Sequence, residues 1–579
     1  MIVHSLRLGA RKIVRYPGIS VVTFVTLAAG IAVSATMFAV VYATLIRPFP
    51  FADQERLVLV WAKQGDVDKL EVTFDEVEQI RREAKSIESI ALYSAANFSI
   101  VAKRQGEPMQ LTANVVSADF FRTLGIQPFM GRALNAAEHR PGGSVAALVS
   151  YDAWRNRFGG DRKILSETLS SPDGPIPIVG VLPRHFDLPA GAEVLFPAEL
   201  NAGDADSRAN RVFTGIAKLR PNATKQQFES ELAVVAEHMH KANPAEREKA
   251  ALFAYPLVDE ILGPTKTALR IVFVMGLLVL LIAMFNAASV ALAQGISRTA
   301  ELGVRRSVGG TRASTMARFF FEALVLTSAA AAASILIARL LLAALLRIAP
   351  PTTPRLAEVA IGWQAVVFAA VAAVAAALIA AAAQTFRASD AEVMTALRAS
   401  AKSTSQRGAR RLLETLAAAQ TAVAIVTLVV AALLTQSFRK YAAIDVGFST
   451  ERIITVHLPR GYSMAEDPEK ARAFFRTLLE RLRHASGVEA AGSVLMRPLE
   501  LEQGWDFAFT IEGQGVGEQE KNPLANLLSI TPGYFDAMRI ERLAGRDVTY
   551  DDKTGATPVV ILGESFARRY FGSAQNAIG

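Results

Sequence analysis

The chain contains no cysteine, which excludes disulfides, thiolate metal sites, thiol nucleophiles and lipid-modified cysteines together. Histidine is scarce too, seven in 579 residues, and scattered. His238 and His240 flank Met239; on a helix that spacing sends them to different faces, which argues against a metal pair. Neither G-x-S-x-G nor H-E-x-x-H occurs, so no catalytic constellation emerges and no cofactor is called for. The phosphate-cradling order G-x-x-x-x-G-K-[ST] is missing as well. Gly263-Pro264-Thr265-Lys266 and Gly309-Gly310-Thr311-Arg312 come nearest and fall short of it. The chain does not bind ATP by that route.

What it has in quantity is apolar sequence, 51% of residues, unevenly spread. The first long window runs from Ile19 to Ile46 without a charge. At 1.5 Å per residue it is roughly 40 Å long, enough to cross a bilayer with tilt. A signal peptide would have a shorter apolar region and a small-residue cleavage site; this window instead ends in Leu45-Ile46-Arg47-Pro48. Four further windows cover Ile271–Ala293, Phe319–Leu346, Ile361–Thr385 and Leu412–Thr435. Glu322 and Arg339 fall inside the third window. Glu322 follows Arg318 by four residues and reads as an interfacial carboxylate beside that arginine. The fourth window, mostly alanine and valine, suits close helix packing.

The net charge of +8 does not point to nucleic acid, because the excess sits in short segments beside the apolar windows. Arg7, Arg11, Lys12 and Arg15 precede the first window with no acid among them. Arg298, Arg305, Arg306, Arg312 and Arg318 face Glu301 alone between the second and third. Arg387, Arg398, Lys402, Arg407, Arg410 and Arg411 outnumber Asp390 and Glu392 between the fourth and fifth. All three segments share one side if the N-terminus is cytoplasmic, as the positive-inside rule requires. The expected order follows. Residues 1–18 are cytoplasmic, 19–46 the first transmembrane helix and 47–268 an extracytoplasmic domain. Residues 269–390 form a unit with three spans (271–293, 319–346, 361–385), and 391–411 a cytoplasmic linker. A fifth span covers 412–438 and a second extracytoplasmic domain 439–579.

The two extracytoplasmic segments repeat each other. Ser117-Ala-Asp119-Phe120-Phe121-x-x-Leu124-Gly-Ile126 with Gly131-Arg132 returns as Thr531-Pro-Gly533-Tyr534-Phe535-x-x-Met538-Arg-Ile540 with Gly545-Arg546. Val145–Ser150 followed by Trp154–Gly159 returns as Val559–Gly563 followed by Phe566–Gly572. Three matched blocks at one offset mark an internal duplication. By the repeat, roughly 220 residues holding about three more spans would follow Gly579. Within the first segment Val58–Trp61, Leu111–Val116 and Ile176–Val181 read as strands. Lys225–Met239 reads as a helix on Phe228, Leu232, Val235 and Met239. The fold class expected is an α-helical transmembrane protein with mixed α+β extracytoplasmic domains.

Between the second and third windows, Ser297–Arg312 holds Glu301 and Arg305 at i, i+4 in the favourable order. Gly309-Gly310 would end that short helix. A charged helix between two spans suits docking of a soluble partner, and equally a positive-inside anchor without one. This stretch resembles the E-[IL]-[AG]-[IV]-R-x-[AS]-[LV]-G-[AG]-x-R signature of FtsX/MacB-like ABC transporter permeases. Leu6–Pro17, Arg47-Pro-Phe-Pro50 and Arg56-Leu-Val resemble the N-terminus of the duplicated, ADOP-type branch. Ser150-Tyr-x-x-Trp154-x-x-x-Phe158-Gly-Gly160 with Val179-Gly-Val-x-Pro183 resembles the MacB-like periplasmic core domain. Leu165-Ser166-Glu167 departs from the pattern, where that family usually has a glycine.

The resemblance implies a non-catalytic permease in the bacterial inner membrane, coupled to a separate ABC-type ATPase through Glu301, Gly303, Arg305, Arg306, Gly309, Gly310 and Arg312. It also implies that ATP-driven closure on the cytoplasmic side travels along the first span, and along its repeat partner Leu412–Lys440, to the extracytoplasmic domains. The partners expected are that ATPase, the lipid bilayer and a periplasmic or outer-membrane component, the activity export or efflux of some substrate. A signal-transducing permease that regulates an envelope enzyme or sensor is the alternative within the family. A membrane-anchored extracytoplasmic hydrolase is the alternative outside it.

Overall fold

The computed structural model describes residues 17–64, 67–95, 97–104, 107–140, 143–171, 174–198, 211–242, 251–263, 265–296, 311–348, 355–385, 405–456, 458, 468–498, 505–507, 509–515, 522, 525–553 and 555–579. They form two compact units, Met1–Pro48 with Ile261–Ala443 and Phe49–Glu260 with Ile444–Gly579.

Among the described residues of the first unit, five helices are long and apolar enough to cross a membrane. The first span is helical over Pro17–Val41 and closes in a π-turn over Tyr42–Ile46. Proline opens it where its missing N–H costs nothing. Its hydroxyl residues return their protons to the preceding turn: Thr23 to the Ile19 carbonyl at 2.9 Å, Thr36 to Ala32 at 2.8 Å and Thr44 to Val40 at 2.8 Å. Such bonds let polar side chains sit in an apolar helix without an unmet donor. The second span is Thr265–Ile296, the third Arg312–Ile348, the fourth Trp363–Thr385 and the fifth Ser405–Ala442. Most helix ends differ from the apolar windows. The second and third begin before Ile271 and Phe319, the fifth begins before Leu412, and the fourth begins after Ile361. Hydropathy marks where a helix is apolar, whereas backbone hydrogen bonding carries the turns on through flanking polar residues.

The fourth span presents one face of Ala365, Ala369, Ala372, Ala373, Ala376, Ala377, Ala380 and Ala381, all buried. Four of those alanines pack with Leu27, Ala28 and Ile31 of the first span, Leu280 to Ala287 of the second and Ala330 and Ala331 of the third. The fifth span is exposed along its apolar window and touches the second, where Gln420 donates to Ser289 Oγ at 3.3 Å.

The second unit begins with β1 (Leu57–Gln64) and β2 (Val67–Leu70), followed by α1 (Phe74–Glu83). β3 (Ile87–Ser94), β4 (Phe98–Arg104) and β5 (Glu107–Val116) come next, then α2 (Phe120–Leu124), β6 (Met130–Gly131) and β7 (Ala147–Val149). After α3 (Tyr151–Asn156) come β8 (Thr168–Ser171), β9 (Gly174–Val181), β10 (Val194–Pro197) and β11 (Phe213–Leu219). α4 (Lys225–Ala242) and β12 (Ala251–Pro256) complete the module.

All twelve strands belong to one sheet with two halves. β3, β11, β1 and β12 form an antiparallel half. Here Val58, Val60 and Ala62 of β1 pack with Val77 and Ile80 of α1 and with Phe228, Leu232 and Val235 of α4. Thr73 and Glu76 cap α1 reciprocally, and Arg211 grips the Glu76 carboxylate at 2.8 and 2.9 Å. In the other half β4, β5, β10, β7, β9 and β8 close on themselves, because β10 pairs in parallel with β5 (Val194↔Ala113) as well as with β7. Leu111, Val149, Leu169, Ile178, Val181 and Phe196 fill that closed ring. Closure removes the free edges that an open sheet would expose. The Leu165–Glu167 departure has a local solution: Arg162–Ser166 forms a 3₁₀ turn and Glu167 pairs with Arg104 at 2.7 and 2.9 Å.

The later module contains α5 (Pro468–Arg483), the hairpin of β13 (Trp505–Phe507) and β14 (Ala525–Leu527), α6 (Tyr534–Met538) and α7 (Glu564–Phe571).

Candidate coupling site

Glu301, Gly303, Arg305, Arg306, Gly309 and Gly310 lie outside the described residues. Arg312 is the first residue of the third span. Thr311 caps that helix: Ser314 N–H donates to its Oγ1 at 3.2 Å and Thr315 N–H to its carbonyl at 3.2 Å. A helix therefore starts directly after the Gly309-Gly310 pair. One turn further, Arg318 Nε donates to Glu322 Oε1 at 2.9 Å, with the side chains 18% and 4% exposed. The acid that sequence placed next to an arginine is buried and ion-paired, which lowers the cost of carrying it into an apolar helix.

The first span is held by polar contacts as well as apolar ones. Ser34 Oγ lies 2.6 Å from the Gly276 carbonyl of the second span and 2.8 Å from its own Gly30 carbonyl. Thr36 Oγ1 lies 3.4 Å from the Ala338 carbonyl of the third span. Gly30 sits so close to the second span that a Cβ there would meet Ala283 Cβ at 2.6 Å. Small residues bring these backbones together, and hydroxyls fix their register.

Toward Arg47 the contacts become aromatic and then ionic. Phe38 stacks on Phe368 with centroids 4.7 Å apart, and Gln364 Nε2 donates to the Tyr42 hydroxyl at 3.3 Å. In the π-turn, Arg47 N–H donates to the Tyr42 carbonyl at 2.7 Å. Arg355 Nη1 donates to the Arg47 carbonyl at 2.7 Å, while its Nε and Nη2 donate to Glu358 at 2.9 and 2.7 Å. Arg47 Nη1 reaches Glu358 Oε2 at 3.3 Å. Arg355 and Glu358 are each 7% exposed, and Arg355 adopts a left-handed backbone at φ 57°.

In the second unit the duplication is visible atom by atom. Ser117 and Leu92 exchange bonds: Ser117 N–H donates to the Leu92 carbonyl and Leu92 N–H to Ser117 Oγ, both at 2.9 Å. Thr531 and Ser493 repeat the exchange at 3.0 and 2.8 Å. Gly125 ends α2 in the left-handed region at φ 65°, and Arg539 ends α6 there at φ 53°. Arg132 clasps Glu138 at 2.6 and 3.1 Å, and Asn135 N–H adds a third bond at 2.7 Å. Arg546 clasps Asp552 at 2.7 Å through both Nη atoms, and Thr549 N–H adds its own at 2.7 Å. Burial works against ionisation of Glu138, but the bonds from Arg132 and Asn135 outweigh it and hold the carboxyl below its ordinary value. The Arg546 bond and the Thr549 amide lower Asp552 further.

Sequence reading found Gly131-Arg132 and Gly545-Arg546 but missed the acid six residues on. That acid recurs in both copies, so comparing the copies one block further would have found it. The Arg47, Arg355 and Glu358 cluster carries no such signal. Among the described residues no group of three or more His, Asp or Glu is placed to hold a metal ion.

Comparison with known families matches most of the chain. The model of the MacB-like periplasmic core domain matches twice, over residues 20–235 and 415–579. That of the FtsX-like permease C-terminal region matches residues 273–393. Among solved structures, a domain described as belonging to a permease of Porphyromonas gingivalis aligns at 19% identity, covering 36% of this chain and 93% of that one, with a TM-score of 0.29. The periplasmic region of MacB from Actinobacillus actinomycetemcomitans aligns at 12% identity over 36% of this chain and 90% of that one, TM-score 0.27. The extracellular domain of the ABC-type transporter YknZ from Gram-positive bacteria aligns at 12% identity over 34% and 99%, TM-score 0.26. No curated protein matches the chain.

Proposed function

This chain belongs to the FtsX-like permeases with MacB-like periplasmic core domains, and from that premise we propose that it converts ATP hydrolysis on a separate subunit into movement of its extracytoplasmic domains, for export of a substrate. It is the membrane subunit of an ABC transporter, a multi-pass protein of the bacterial inner membrane. The N-terminus and the Glu301–Arg312 segment face the cytoplasm, and the two MacB-like modules lie across the bilayer. The ATPase docks on Glu301, Gly303, Arg305, Arg306, Gly309, Gly310 and Arg312. Their movement reaches the third span directly, because Thr311 caps its first turn.

The observation that carries this reading is the packing of the first span. It is buried against the second, third and fourth spans and continues through its π-turn to Arg47. A shift among those three helices must therefore reach the residue that leads into the first module. ATP drives such a lever only by binding one arrangement more tightly than the other.

Charge reversal at Arg305 and Arg306 tests the docking half. Arg305→Glu with Arg306→Glu should abolish co-purification with the ATPase subunit while leaving membrane insertion intact. Unchanged association would show that the docking surface lies elsewhere.

A further inference from the structure

We propose that Arg355 and Glu358 form a latch on the first span, holding its final turn in the π-register, and that this latch opens during the transport cycle. The proposal rests on the lever reading above and names the joint at which the lever is held.

Three observations converge on the joint. The last turn of the first span is wider than the α-helix before it: the Arg47 N–H bonds to Tyr42, five residues back, at 2.7 Å. A π-turn is a strained register that persists where the surroundings hold it. The surroundings here are the connection between the third and fourth spans. Arg355 grips the Arg47 main-chain carbonyl at 2.7 Å, and Glu358 takes the Arg47 side chain at 3.3 Å. The gripping residue is itself strained, since Arg355 occupies the left-handed region without being glycine. Glu358 fixes it there through two charge-assisted bonds.

The bonds differ in what they tolerate. The apolar contacts beneath, Val40 and Ala43 against Leu342 and Val359, weaken gradually as helices shift. A directional bond to one carbonyl is either made or broken. When the final turn of the first span relaxes to α-geometry, its carbonyls rotate about the helix axis and the Arg47 carbonyl leaves the guanidinium. The joint therefore has two arrangements rather than a continuum, which a mechanical relay requires.

The test uses the full chain in lipid nanodiscs, then its complex with the ATPase. Glu358→Gln keeps the shape and removes the charge that fixes Arg355. Hydrogen exchange of the amides from Tyr42 to Arg47 should rise by about tenfold or more, while amides near Ile31 keep their protection. Unchanged exchange at Tyr42–Arg47 overturns the latch. The absence of native cysteine permits a second arm. Arg47→Cys with Glu358→Cys, joined by a short thiol crosslinker, replaces the ionic latch by a covalent one. ATP turnover of the complex should fall several-fold on crosslinking and recover on cleavage of the linker. Turnover indifferent to the crosslink shows that the joint need not open and overturns the proposal. Failure of the unmodified chain to associate with any ATPase strikes the lever reading instead, and it is seen before either arm begins.

Discussion

Replacing Glu138 by glutamine probes the clasp that both modules build. The wild-type carboxylate accepts two bonds from Arg132 and one from the Asn135 amide, and its side chain is 5% exposed. Glutamine keeps the size but offers one acceptor oxygen and points an N–H₂ at a donor. One charge-assisted bond and the attraction of the charges are lost. Because the Arg132 guanidinium is half exposed, water screens part of that attraction, and the net cost is about 1–2 kcal/mol. The clasp stabilises a short strand, β6, whose Met130 and Gly131 pair with Val181 and Gly180 of β9. Local opening there should become about five- to thirty-fold more frequent. Hydrogen exchange of residues 129–138 in the nanodisc-embedded chain measures it.

Acid gives the same prediction an independent sign. Glu138 titrates below its ordinary value when folded, so the clasp is at full strength above the unfolded carboxyl's pKa and is lost as pH falls through the folded one. Wild-type protection at residues 129–138 should therefore fall on acidification, whereas the Glu138→Gln variant should lack that component. Equal protection in the two proteins at neutral pH, or equal acid sensitivity, would refute the assignment.

Gly30→Val should separate the first and second spans, since its Cβ would fall 2.6 Å from Ala283 Cβ; overpacking of this kind costs about 1–3 kcal/mol, read as a lower melting temperature in detergent. Arg318→Met should be more damaging than Glu322→Gln, because the first leaves a buried carboxylate stripped of its arginine and the second removes the charge. Thermal unfolding of both variants and the double mutant decides it, and equal losses would contradict the pairing. Arg539→Gly should stabilise the later module by up to about 1 kcal/mol, because glycine occupies the left-handed end of α6 without strain, as Gly125 does at the end of α2. A lower denaturation midpoint would show that the Arg539–Glu489 contact at 3.1 Å outweighs the backbone term.

Properties written in short stretches of chain were legible before any coordinates. The apolar windows mark helices because a span of Leu, Val and Ala has no other low-energy state in lipid. The strands at Val58, Leu111 and Ile176 are apolar runs bounded by turn residues, and all three form. The duplication was readable because like local geometry, such as the aromatic pair that opens α2 (Phe120-Phe121) and α6 (Tyr534-Phe535), demands similar residues. The closure of the ring was not, since Val194 meets Ala113 in parallel across a long separation with no turn between them to set the register. The Arg355 contact with Arg47 spans 308 positions; an arginine three residues before a glutamate is common on any surface. Helix ends were off because propensity and hydropathy stop at different residues.

The alanine face of the fourth span has a mechanical consequence. Bulky side chains that interlock give two helices one deep resting position, and any slide must first lift each knob from its hole. A row of methyl groups offers shallower wells: a slide of about one turn, roughly 5.4 Å, exchanges one methyl for another on the same face. The seam that Ala369, Ala372, Ala373 and Ala376 present to Leu27, Ile31, Leu280 and Met284 therefore resists sliding less than two facing rows of large side chains would. Tight packing and easy gliding coexist there, and resistance to motion falls on the few directional bonds at its ends.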